Sequence, residues 1–211
     1  MADNTTNKLQ LNVKSVSHRF GRRRVLSDVS FRCETGDAIC VTGHNGSGKS
    51  TLLRILSGLL VPTGGDVELI KGGTKLGKSE RRRALRLVSP EISLYESLTG
   101  FENIELVTKL SGVEVSQSEM ESALEEVGLE GRGDDMFGAY SSGMKQRLKI
   151  ATAMITEPAV LLLDEPTANL DDAGRERIYH IMHDFQVRGI LIFATNEKQE
   201  VRFGGQVVGL D

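Results

Sequence analysis

The residues from Gly43 to Ser50 read GHNGSGKS, a full G-x-x-x-x-G-K-[ST] pattern between an apolar strand-like run and a helix-like one. Glycines at 43, 46 and 48 allow the backbone to bend so that successive N–H groups face one point, and the start of the following helix adds its positive end. Such a loop is an anion cradle. Lys49 supplies a cation for the β and γ phosphates of a nucleotide, and the Ser50 hydroxyl stands where it can ligate Mg²⁺. Each charge-assisted hydrogen bond contributes about 1.5–3 kcal/mol, so several together hold a triphosphate. The expected nucleotide contacts are Gly43, His44, Asn45, Gly46, Ser47, Gly48, Lys49, Ser50 and Thr51. The competing reading is a glycine-rich turn that happens to carry a lysine.

A second chemical group follows at Val160-Leu-Leu-Leu-Asp-Glu165, an apolar run ending in adjacent acids. At the carboxyl end of a strand, where ligands bind in open α/β sheets, Asp164 can hold Mg²⁺ through water. Glu165 can accept a hydrogen bond from an attacking water as general base. Alone, the pair could equally be solvated turn residues or a helix cap; beside a phosphate cradle it completes an ATPase site.

The elements that must position these groups can be read from periodicity. Leu11 to Phe20 alternates, Gly21 to Arg24 turns, and Val25 to Cys33 returns, predicting a hairpin. Ala38 to Thr42 is a short buried strand; Leu52, Leu53, Ile55 and Leu56 recur at helical spacing up to the stop at Gly58. Val67 to Ile70 and Leu85 to Val88 read as strands. From Phe101 to Thr156 the pattern is helix after helix, and beyond it come the strand at Val160, the stripe Ile178, Ile181, Met182 and Phe185, and the strand Ile190 to Ala194. This predicts one α/β domain: a P-loop NTPase core with a parallel sheet and an antiparallel β edge (about 1–89 and 158–211), and an inserted helical lobe (about 90–157).

Composition limits the partners. Of 211 residues, 26 are Lys or Arg and 29 Asp or Glu, a net charge of −3 that argues against a nucleic-acid groove. The longest apolar run, Ala159 to Leu163, is far short of the ~20 residues a membrane-crossing helix needs. Met1 to Gln10 is polar, without a secretory apolar segment, so a cytoplasmic location is expected. Cys33 and Cys40 lack metal or redox spacing and read as buried thiols. His180 and His183 lie opposite the apolar stripe of their helix and read as a solvated face; Arg22 to Arg24 and Arg81 to Arg83 read as turn and helix-surface charges.

A phosphate loop alone fits many enzymes. The run Tyr140-Ser-Ser-Gly-Met-Lys-Gln-Arg147, with Asp164-Glu-Pro-Thr-Ala-Asn-Leu-Asp171 after it, resembles the signature and D-loop of the ABC (ATP-binding cassette) ATPases, and the order of elements from Phe20 to Asn196 is similar to theirs. The resemblance implies an ATP-binding and hydrolysing subunit of a membrane exporter, bound to the inner face of the cell membrane through a membrane-spanning partner. It implies a dimer, in which Ser142 and Gly143 of one copy contact the γ-phosphate held by the other, with Asn169 to Asp171 at the shared interface. A serine N-cap, exposed N–H groups and the helix dipole suit an anion at Ser142 and Gly143, although Ser-Ser-Gly before a helix is also an ordinary capping sequence. Phe20 resembles the aromatic that stacks on adenine, although a phenylalanine ending a strand is more often core. The segment Ile92 to Phe101, with Leu94 and Tyr95, resembles the surface that receives the membrane subunit. Tyr140 and Met144 resemble the signatures of small exporter ATPases, such as haem and type-2 exporters.

Two positions depart from the family pattern. Glu91 stands where a glutamine is expected, and Asn196 where a histidine is. Glu91 could reach Mg²⁺ or the water but adds negative charge; Asn196 can donate to a γ-phosphate but cannot carry a proton. Hydrolysis is therefore expected to persist through Glu165 while running slowly or under a partner's control, and Asn196→His or Glu91→Gln to raise it. Alternative readings are a soluble ABC ATPase that remodels a macromolecule, and a nucleotide-gated switch with little catalysis.

Overall fold

The computed structural model describes residues 8–210, so most of the polar stretch from Met1 to Gln10 lies outside the described residues. The first sheet has the order β2-β1-β4-β5 and is antiparallel: β1 (Leu9–Phe20), β2 (Arg23–Glu34), β4 (Gly64–Lys71) and β5 (Thr74–Lys75). In β1, Leu9, Leu11 and Val13 point inward and Gln10 and Asn12 outward, the alternation of a half-buried strand. A register break after Val13 passes through Ser15 at φ 49, and Val16 and His18 resume the inward face. The hairpin closes at Phe20 opposite Arg23.

The second sheet runs β6-β7-β8-β3-β9, from β3 (Ala38–Thr42), β6 (Leu85–Val88), β7 (Val160–Asp164), β8 (Ile190–Ala194) and β9 (Gln206–Gly209). β8 lies parallel to β7 and β3, and β3 parallel to β9. Every residue of β7 and β8 is buried, which is why they read as continuous apolar runs. Helix α1 (Lys49–Ser57) packs on β7, β8 and β2 through Leu52, Leu53, Ile55 and Leu56. A single apolar cluster joins these with Leu11, Val13, Ile39, Val41, Leu162 and Ile192. Each large side chain so buried contributes about 1.5–3 kcal/mol.

Two elements carry no periodic signal in the sequence. Helix α2 (Lys78–Ala84) buries no residue, so it has no apolar stripe. Strand β9 is a short edge with three exposed residues. Arg81 in α2 also corrects its reading as a surface charge. Its guanidinium donates to Val67 O at 3.0 Å, Ile55 O at 3.1 Å and Leu56 O at 2.7 Å, adding to the Gly58 N–H on Ile55 O and closing the Leu56 carbonyl at the end of α1.

The chain forms two compact units: 1–87, 159–165 and 183–211 make one, and 88–158 with 166–182 the other. The helical unit holds α3 (Gly100–Ser111), α4 (Gln117–Glu126), α5 (Ser142–Met154) and the first part of α6 (Asp172–Arg188). α3 and α4 open with capping boxes at Thr99 and Ser116. By sequence, 166–182 belongs with the core; the structure groups it with the helices. Gln146 Nε2 donates to Pro166 O at 3.3 Å and Arg177 Nη1 to Glu125 O at 3.3 Å, ties between segments far apart in sequence.

Candidate active site

The cradle begins where β3 ends. Gly43 takes φ 150, and a Cβ there would stand 2.3 Å from Leu210 O and 2.5 Å from Ser47 Oγ. Gly48, at φ 105, is the N-cap of α1, packed so closely that a Cβ would meet Leu26 Cδ2 at 2.8 Å and Val25 Cγ1 at 2.9 Å. The loop is held by Ser47 N–H to His44 O at 3.1 Å. Lys49 is buried, and its ammonium donates to Gly43 O at 2.9 Å, His44 O at 3.3 Å and Asn196 Oδ1 at 2.8 Å. Above this loop lies a cavity of about 390 Å³, walled by Phe20, Arg23, Val25, Asn45, Gly46, Gly48, Lys49, Ser50, Thr51, Glu165 and Asn196. Gly43, His44 and Ser47 belong to the loop but not to that wall.

The parallel register aligns the acids with this loop. Asp164 pairs with Ala194, so β7 and β8 end level, and Glu165 and Thr195 leave the two strands at the same edge of the sheet. Asp164 is buried. Glu165 turns out of the strand at φ 52, a left-handed conformation that costs a non-glycine residue about 1–2 kcal/mol. Its N–H donates to Ala194 O at 2.9 Å, which holds the turn. Burial raises the Glu165 carboxyl above the ordinary range; a hydrogen bond from Asn196 and the Lys49 charge oppose this, while Asp164 and Glu200 add to it. Asn196 Nδ2 reaches Glu165 Oε1 at 2.6 Å and Asn45 Oδ1 at 2.8 Å. A carboxylate whose proton affinity is raised in a cleft is suited to take a proton from water near neutral pH.

The donor set suits Mg²⁺. Ser50 opens on the cavity from the first turn of α1, and Asp164 offers a carboxylate at the strand end. Among the described residues no cluster of three His, Cys, Asp or Glu could hold a metal alone. Mg²⁺ is bound in this sparing way, by one or two protein oxygens together with substrate phosphates. The Ser47 hydroxyl, enclosed and without a hydrogen-bond partner in the loop, is a further donor in the cradle.

Phe20 ends β1 half exposed at 50 %, with its ring edge-on to His18 at 4.6 Å, and it faces the cavity rather than the core. Arg23 and Val25, from β2, are wall residues that no motif singles out; the signal for them in the sequence is only their place on the returning strand of the hairpin, where Arg23 pairs with Phe20.

The remaining expected residues lie in the helical unit. Ser142 and Gly143 open α5, but the N-cap is Ser141, whose Oγ accepts from Met144 N at 3.2 Å. Of the two serines, Ser141 is the expected cap, with the extended φ −62, ψ 163 of one, and Ser142 is the first helical residue. Ser142 is exposed. Glu91 is exposed in the turn after β6, in the helical unit rather than the unit of the cradle. Ile92 and Tyr95 expose apolar surface, and the buried Asn103 braces the loop by accepting from Tyr95 N at 2.8 Å and donating to Tyr95 O at 3.0 Å. His180 and His183 are exposed, in keeping with a solvated helix face.

Comparison with known proteins agrees with this geometry. Residues 26–168 match the family described as ABC transporter. The linearmycin resistance ATP-binding protein LnrL of Bacillus subtilis (strain 168) is 30 % identical over 205 residues, 95 % of this chain and 65 % of LnrL. The lantibiotic transport ATP-binding protein SrtF of Streptococcus pyogenes is 33 % identical over 186 residues, 88 % of this chain and 79 % of SrtF. Among solved structures, an ATP-binding cassette dimer in a post-hydrolysis state, bound to ADP and Pi, aligns with a TM-score of 0.84 at 27 % identity, covering 95 % of this chain and 94 % of that one.

Proposed function

This chain belongs to the ABC transporter family, and from that premise we propose that it is the ATP-binding and hydrolysing subunit of a membrane exporter, acting as a pair of like domains. The observation that carries the proposal is the convergence of Lys49, Ser50, Glu165 and Asn196 on one cavity. Lys49 and the loop N–H groups bind the phosphates, and the Phe20 face is open to the adenine. Glu165 accepts the proton of the attacking water. Ser50 and Asp164 would hold Mg²⁺, which supplies neutralisation of the phosphate oxygens. The exposed Ser142 hydroxyl and the free N–H groups at the start of α5 serve the nucleotide of the second copy.

No helix among the described residues is long and apolar enough to cross a membrane. The relatives named as ATP-binding proteins for resistance and lantibiotic transport support a membrane-spanning partner and outward transport. The braced loop bearing Ile92 and Tyr95 is the docking surface we assign to that partner, and we assign this chain to the cytoplasmic face of the membrane. The test is phosphate release and oligomeric state. Wild type is expected to release phosphate from MgATP, and Glu165→Gln to lose that activity while forming a stable dimer with MgATP. A Glu165→Gln protein that stays monomeric with saturating MgATP, alone and with the membrane partner, refutes the paired mechanism.

A further inference from the structure

The Asn196 side chain, on the wall of the cavity, joins three groups from two separate parts of the chain, the cradle loop and the end of β7. Its Oδ1 accepts from Lys49 Nζ at 2.8 Å, and its Nδ2 donates to Glu165 Oε1 at 2.6 Å and to Asn45 Oδ1 at 2.8 Å. The neighbours dictate which way the amide faces. An ammonium only donates and a carboxylate only accepts, so the flipped amide would set NH₂ against NH₃⁺ and oxygen against carboxylate. Both amide hydrogens are therefore committed. Neither histidine nor aspartate meets all three demands. Neutral imidazole has one donor and one acceptor, imidazolium has no acceptor, and aspartate has no donor.

We infer that Asn45 is a positioning residue for hydrolysis that acts through Asn196: by holding one amide hydrogen it fixes Asn196, whose other hydrogen holds the Glu165 carboxylate. This rests on the proposed ATPase reaction. When a triphosphate engages Lys49, the Asn196 carbonyl gives up its ammonium partner. Asn45 is then the one anchor of the amide that is not itself the group to be positioned. Nucleotide affinity comes from the loop N–H groups and Lys49, which a change of the Asn45 side chain leaves in place. Its loss therefore acts on kcat. The same reasoning reverses the sign expected from sequence for Asn196→His: the ring cannot replace the amide's three bonds, so turnover falls.

The experiment measures kcat and KM for MgATP, nucleotide Kd and Tm for purified wild type and the Glu165→Gln, Asn45→Ala, Asn45→Asp, Asn196→Ala, Asn196→His and Asn45→Ala/Asn196→Ala variants. Asn45→Ala is expected to lower kcat about three- to tenfold, the value of one hydrogen bond, with KM and Kd within about twofold and Tm unchanged. Asn45→Asp keeps the acceptor and restores kcat above Asn45→Ala, with weaker binding from its added charge. Asn196→Ala and Asn196→His lose more activity than Asn45→Ala, and the double variant is no slower than Asn196→Ala. Should Asn196→Ala fall to background, Asn45→Ala against Asn45→Asp decides. Losses that multiply in the double variant overturn the inference, as do an Asn45→Ala defect confined to Kd, an Asn45→Asp no better than Asn45→Ala, or an Asn196→His protein as fast as wild type. Wild type no faster than Glu165→Gln at background overturns the hydrolytic reading, and the inference with it.

Discussion

At the scale of single residues, the cradle separates glycines required by space from those required by conformation alone. Gly48 has φ 105 and neighbours at 2.8–3.0 Å from a would-be Cβ, one of them the Val25 carbonyl, whereas Gly46 has φ 84 and only the Arg23 guanidinium at 3.9 Å. Gly48→Ala must therefore distort the loop at the start of α1, while Gly46→Ala carries only backbone strain of about 1–2 kcal/mol. ATP affinity, measured by fluorescence titration, is expected to fall at least tenfold in Gly48→Ala and less in Gly46→Ala; equal losses would contradict the packing argument. The thiols give a second residue-level expectation. Burial, reinforced by Asp37, pushes Cys33 up to about 12, and burial, reinforced by Glu200, pushes Cys40 up to about 11. Neither should react with a thiol reagent at pH 8 in the native protein, and both should react in urea. Because the unfolded thiols release protons first, their contribution to stability is whole below the ordinary thiol range and is lost as pH rises through it towards 11 and 12. The cradle and Asp164-Glu165 were legible in sequence because their geometry is encoded locally, in glycines and strand ends. Arg23, Val25 and the Asn45–Asn196 bond were not, since they arise where distant segments meet.

At the scale of elements, α1 links the cradle to the core, and its two ends are held differently. Its start is the loop; its end relies on Arg81, reaching from a helix with no buried residue to the carbonyls of Ile55 and Leu56. Burial lowers the Arg81 pKa, but the group remains charged at neutral pH, so each bond is charge-assisted. Arg81→Met is expected to destabilise the protein by about 1–3 kcal/mol in urea unfolding, because it strips the Leu56 carbonyl of its partner and leaves that of Ile55 with the Gly58 N–H alone. Arg82→Met, on the exposed side of the same helix, should change stability by less than about 0.5 kcal/mol. Similar effects from both would mean that Arg81 is a surface charge after all. Sequence alone could not separate neighbours in a basic run, because nothing in Arg81 to Arg83 tells which one the fold turns inward. The same limit explains Ser141 and Ser142: both suit a cap, and backbone angles decide between them.

At the scale of the whole molecule, the cradle and the start of α5 fall in different compact units, yet both are equipped for phosphate. Lys49 and its loop carry the cation and N–H groups, and α5 offers an exposed hydroxyl at Ser142 because Ser141 takes the capping duty. If each nucleotide is completed by α5 of the second copy, two kinds of defect become complementary. A Lys49→Ala chain loses its own cradle but still lends a sound α5; a Ser142→Phe chain keeps its cradle but obstructs its partner's. Either variant alone makes dimers with no complete site. Mixed, they form heterodimers in which the intact cradle of the Ser142→Phe chain meets the intact α5 of the Lys49→Ala chain. An equal mixture should form about half its dimers as this hybrid, each with one of two sites working, so independent sites would restore about a quarter of wild-type phosphate release. Mixtures that remain as inactive as the separate variants would show that both sites must fire together. Recovery of activity by Ser142→Phe alone would remove α5 from the nucleotide site altogether.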